Sequence, residues 1–203
     1  MKISHFLTGA VAGLFLASGA ALAQQAQAPA DQPAAASKAP DVKTVGDWAV
    51  RCFPVNSPSP CDIYQELDDQ RSRQRVLSLS IAYIPSLDRH AIMVTVPLEI
   101  AIQKGLVIQT DSFASPALHY RRCDRMGCYV ETAIDNGAIE SMAKSGPDAY
   151  IKIVADNGKP YNIKFSLKGF AAAHDQMVTD AKAKAKPIEK PAANGAQPAQ
   201  PQK

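Results

Sequence analysis

Large aromatic side chains, long apolar runs and net charge on the foldable part are all scarce in this 203-residue chain. Aromatic residues make up 6% of it, with one tryptophan, Trp48. The core therefore has few large anchors, and Trp48 and Phe170 are the candidates. After residue 23 no stretch approaches 18 consecutive apolar residues, which excludes a membrane-spanning helix there. From Val42 to Thr179 fifteen Lys/Arg face fifteen Asp/Glu. A neutral domain of this kind lacks the basic face of a nucleic-acid binder.

Signatures of catalysis are absent too. There is no Gly-x-Ser-x-Gly, no Walker-type loop and no H-E-x-x-H. Ser141-Met142-Ala143-Lys144 matches S-x-x-K, but no S-D-N follows and the only Lys-Ser-Gly reuses Lys144. A short surface helix explains these residues better. His90, His119 and His174 are scattered along the chain and read as structural histidines. The four cysteines, Cys52, Cys61, Cys123 and Cys128, enclose eight and four residues; the second interval borders the C-x2-4-C spacing of a zinc site, but the first does not, so the paired ligands of such a site are missing. Neither a metal nor a cofactor is implied, and no catalytic residue is assigned.

What is present begins with a targeting pattern. Lys2 precedes an apolar core from Phe6 to Leu16, and Ala21-Leu22-Ala23 is an A-x-A cleavage signal before Gln24. Residues 1–23 thus read as a signal peptide, and the protein as exported to the periplasm or beyond. In an oxidising compartment an even number of cysteines favours two disulfides and leaves no thiol for nucleophilic chemistry. The local pairing, Cys52–Cys61 and Cys123–Cys128, is favoured because each bond staples one hairpin, at roughly 2–3 kcal/mol apiece. The crossed pairings stay open if the hairpins lie side by side.

Composition divides the rest. Residues 24–41 are Ala, Gln and Pro, and residues 180–203 are Lys, Ala, Pro and Gln. Both bury too little apolar surface to order themselves. The second carries five lysines against Asp180 and Glu189. It reads as a solvated tether capable of weak peripheral contact with anionic headgroups or cell-wall polymer. Residues 42–179 remain as one domain.

Within that domain, strands are expected over 46–53 and 60–67, around the turn Asn56 to Pro60, and then over 76–84. Ala91 to Val96 is apolar enough to be covered on both faces. Shorter pieces follow at 100–102 and 106–110. Residues 117–123 and 128–134 form the second hairpin, with Tyr120 and Tyr129 as its aromatic packing candidates. A helix over 138–144 ends at Gly146-Pro147. Strands over 150–154 and 161–167 flank the turn Asp156 to Pro160. From Phe170 a helix of about ten residues puts Phe170, Ala173, His174 and Met177 on one face, suited to capping the open end of a sheet. With no repeat and no βαβ alternation, the fold class is mainly β, an antiparallel sandwich or barrel-like body with two short helices. Arg121, Arg122 and Arg125 surround the second staple. They are candidates for binding an anion or a partner, set against simple ion pairing with Asp124 and Glu131.

Gly46-Asp47-Trp48 with Cys52, Cys61 before Gln65, the segment Pro97 to Asp111, Cys123 with Gly127-Cys128, and Ser166-Leu167-Lys168-Gly169-Phe170 before an Ala-rich helix recur in one order. In this the chain resembles the invasion-associated locus B family of secreted Gram-negative bacterial proteins, from Val45 to about Met177. The family pattern has Gly after Pro97-Leu98, where this chain has Glu99. The resemblance implies an exported, β-rich, two-disulfide protein with no known catalytic site. Some members are linked to bacterial invasion of host cells, including red blood cells. The expected role is that of a non-enzymatic envelope protein whose partner is a protein or surface glycan of the envelope or of a host. The rival expectation is a periplasmic enzyme with an unrecognised site.

Overall fold

The computed structural model describes residues 39–186. Residues 1–23, expected to be a signal peptide, and most of the two terminal segments lie outside the described residues. A seven-stranded antiparallel sheet has the order β1 (Asp41–Val45), β2 (Trp48–Cys52), β3 (Cys61–Asp68), β4 (Arg75–Ile84), β5 (Arg89–Val96), β8 (Gly127–Ile134) and β7 (Arg122–Asp124). A smaller antiparallel sheet runs β10 (Pro160–Ser166), β9 (Asp148–Val154), β6 (Val107–Gln109). The helices are α1 (Asn136–Lys144) and α2 (Phe170–Lys184). Neither sheet closes on itself, so the architecture is sandwich-like and not a barrel.

Alternation along the strands builds the core. Trp48, Val50 and Cys52 on β2 are buried, as are Leu77, Leu79 and Ile81 on β4 and Ile92, Val94 and Val96 on β5. The small sheet and α2 cover this face. Trp48 meets Phe165 of β10 and Phe170 of α2 edge-on, with centroids 6.5 and 5.2 Å away. Its indole N–H donates to the Ser166 carbonyl at 3.0 Å. The Gln65 amide joins the layers a second time. It accepts from the Ser166 N–H at 2.9 Å and donates to the carbonyls of Asp47 (2.9 Å) and Ser166 (3.2 Å).

Two glycines make this junction possible. Gly46, in the β1–β2 turn, and Gly169, before α2, have φ of 60° and 80°. A Cβ on Gly46 would lie 2.4 Å from the Lys168 carbonyl oxygen, and one on Gly169 2.6 Å from that of Val45. The chain can cross itself here only without side chains.

Several elements differ from the sequence expectations. β1 was not expected, because it is an edge strand, exposed along nearly all its length, with no apolar alternation to announce it. Residues 117–121 do not extend β7. Leu118 instead exchanges both backbone hydrogen bonds with Leu106, at 2.7 and 2.9 Å. Isolated bridging at Ile100 and a 3-10 turn at Ile102–Lys104 replace a strand over 100–102. α1 starts inside the expected break, because the Asp135 carboxylate caps the Ala138 N–H at 2.7 Å. α2 has 15 residues, not about ten. It lies across the face of β1 to β4 and does not cap a sheet end. β5 is covered on one face only: Met93 is 37% exposed. Glu99 keeps the left-handed turn of a glycine, at φ 64°, which costs roughly 1–2 kcal/mol in a residue with a Cβ.

Candidate functional site

Because the small sheet and helices take one side of the large sheet, its other side is left open. The register assembles that surface in rows. Asp62, Ala82, Ala91 and Ala133 lie opposite one another across β3, β4, β5 and β8. The next row is Tyr64, Ser80, Met93 and Glu131, and the third ends in Tyr129 and Arg122. Three neighbouring alanines make a shallow trough. Leu87 (53% exposed) and Met93 border it, with Arg89, Arg121 and Glu131 among its lining residues.

Each flank of this surface carries an arginine beside a staple. At one flank Arg51 makes a two-pronged pair with Asp62 (2.9 and 2.6 Å) and lies 3.6 Å over the Tyr64 ring. Asp62 also accepts from the Ser80 hydroxyl at 2.6 Å, and Tyr64 donates to Glu66. Burial, then the Glu66 carboxylate, raises the Tyr64 pKa. At the other flank Arg122 pairs with Asp124 (2.7 Å) and Glu131 (3.2 Å) and lies 3.7 Å over Tyr129. The backbone N–H of Met126 holds the Asp124 pKa down. Arg121 pairs with Glu131 at 3.6 Å. The structure therefore joins Arg121 and Arg122 through Glu131, while Arg125 sits apart in the turn between β7 and β8. Both staples have the local pairing: Cys52–Cys61 and Cys123–Cys128 are bonded, across directly opposed residues. Tyr129 serves the second hairpin as a platform for Arg122. Tyr120 packs half-buried on the core, its hydroxyl without a hydrogen-bond partner and its pKa pushed up to about 12 by burial.

Ser141 donates to the Gly137 carbonyl and Lys144 pairs with Glu140, so the S-x-x-K residues do not engage each other. Among the described residues no group of three or more His, Cys, Asp or Glu is placed to hold a metal. The histidines are not all scattered. Nε2 of His90 and Nε2 of His174 lie 2.9 Å apart, brought together by β5 and α2. Separation by 84 positions hid this pair, and so did the alanine trough, which depends on strand register and not on any motif.

Sheet topology, paired staples and an open face define a class: a disulfide-stapled, sandwich-like β protein with a broad exposed sheet surface. The chain belongs to the invasion associated locus B (IalB) family, whose family model matches residues 48–178. Invasion protein B homologs of Brucella abortus, from strain 2308 and from biovar 1 strain 9-941, are each 27% identical to it over 136 residues. Each match spans 66% of this chain and 78% of the relative. The crystal structure of invasion associated protein b from Bartonella henselae shares the fold, with a TM-score of 0.61 and 19% identity. That match covers 70% of this chain and 99% of the other. Among the described residues no helix is long and apolar enough to cross a membrane.

Proposed function

We propose that this protein is an exported, non-enzymatic envelope protein that works by presenting the open face of its large sheet to another macromolecule. The observation that carries the reading is the trough of Ala82, Ala91 and Ala133, bordered by Leu87 and Met93 and lined at its edge by Arg89 and Arg121. A shallow apolar floor beside guanidinium groups suits a partner surface better than it suits a small substrate, which calls for an enclosed pocket. The floor favours a protein over a glycan, whether that protein belongs to the envelope or to a host cell. The relatives' names as invasion proteins support the second setting.

Capture of envelope and host-membrane proteins on the immobilised mature chain tests this. Ala91→Arg and Ala133→Arg fill the trough and are expected to abolish capture of the specific partner, while circular dichroism stays unchanged. Changing Arg121, Arg122 and Arg125 together to Ala is expected to weaken capture and to make what remains less sensitive to salt. If folded trough variants retain the same partner as the parent, the open face is not the interface.

A further inference from the structure

The His90–His174 contact joins three elements and lies on the covered side of the sheet, away from the interface proposed above. Nδ1 of His90, on β5, is 2.9 Å from the Asn136 side-chain oxygen at the start of α1. That acceptor places a hydrogen on Nδ1 and leaves Nε2 as a lone pair. Nε2 of His174, on α2, must then be the donor across the 2.9 Å gap. Nδ1 of His174 lies 3.3 Å from the exposed Asp175 carboxylate, which accepts a hydrogen when the ring is charged. The network accommodates one extra proton, on His174. A second has only Nε2 of His90 to occupy, head-on to the His174 N–H.

The surroundings offer that second charge little relief. Asp88, at the β4–β5 turn, favours a charged His90, but less than burial opposes it, and already accepts from the Tyr83 hydroxyl at 2.7 Å. Arg89 is on the opposite face of β5. On α1 the Asp135 carboxylate is committed to its cap. On α2 Asp175 reaches only His174, and Lys182 adds positive charge 5.7 Å over the Tyr83 ring. The Tyr83 ring itself is 5.0 Å from that of His90. Burial holds the His90 pKa below its usual value. The spacing also fits a proton better than a metal, since two zinc–nitrogen bonds at a tetrahedral angle would hold the nitrogens about 3.3–3.4 Å apart.

We propose that His90 and His174 form an acid-sensitive latch that docks α2 on the large sheet at neutral pH and releases it when both rings are charged. Release would uncover Phe170, Ala173 and Met177 on the inner face of α2 together with Trp48 beneath it, all buried in the docked state. The sign follows from linkage. A depressed histidine binds fewer protons folded than unfolded, so docking is strongest above the ordinary histidine value of about 6.5 and is lost as pH falls through the folded value.

Trp48 is the sole tryptophan and reports α2 directly. Titrating the mature chain from pH 7.5 to 5.0 is expected to give a reversible red shift of its emission with the far-ultraviolet β signal retained. His174→Gln keeps a donor for His90 but cannot take up a proton. Its transition is expected to fall by at least about one pH unit, as removal of a paired charge implies. Flat parent emission across this range, or an unchanged midpoint in the variant, would overturn the latch. So would stoichiometric zinc binding at pH 7.5 that His174→Gln removes. If the variant does not fold, ring nitrogen shifts of the parent decide. Double protonation together with Trp48 exposure supports the latch, and double protonation with Trp48 still buried refutes it.

Discussion

Arg51 and Cys52 on β2 face Cys61 and Asp62 on β3; Arg122 and Cys123 on β7 face Cys128 and Tyr129 on β8. Each hairpin has a cross-strand disulfide, an arginine stacked on a tyrosine, and a carboxylate that holds the arginine, joined by a second at Arg122. Their surroundings differ. The first hairpin lies inside the sheet with both cysteines buried, and its Arg51–Asp62 side chains are 23% and 10% exposed. The second lies at the sheet edge, Cys123 is exposed, and the Arg122–Asp124 side chains are 48% and 44% exposed. Identical parts thus act as core scaffold in one place and as rim in the other. Position in the sheet decides the role, because burial sets how much a lost contact costs.

Removing each staple tests that difference most strongly. Cys52→Ala with Cys61→Ala is expected to cost about 4 kcal/mol in urea unfolding, and Cys123→Ala with Cys128→Ala about 2 kcal/mol. Equal losses would break the comparison. Gly46→Ala pushes a Cβ into the Lys168 carbonyl beside the first hairpin and is expected to cost about 3 kcal/mol by the same measurement. Gln65→Ala strips three hydrogen bonds from the junction of that hairpin with β10, at about 2 kcal/mol. A value near zero would mean that the layers hold without it. Arg122→Ala is expected to do least, moving the thermal midpoint by no more than about 2 °C.

The sequence announced the first hairpin more fully than the second. The cysteines and the Asn56 to Pro60 turn mark local chemistry that acts within the hairpin itself, and Trp48 stood out as the sole tryptophan although its partners Phe165, Ser166 and Phe170 lie far along the chain. The family resemblance tied Gly46 to Gly169-Phe170 without showing why, and the glycine crossing supplies the reason. At the second hairpin three arginines stood out by proximity, yet Arg51, the better buried arginine, drew no notice because its partner Asp62 lies across a turn. The histidine latch and the alanine trough were not legible. Both arise from register and from packing between distant segments, which leave no local period to read.

Graded reduction of the native protein, with alkylation and peptide mapping at each step, tests the contrast between scaffold and rim most directly. Cys123 and Cys128 are expected to be modified first, while Cys52–Cys61 stays closed until the sheet unfolds. Opening of Cys52–Cys61 first, simultaneous opening of both, or any cross-link between the two hairpins would contradict that contrast.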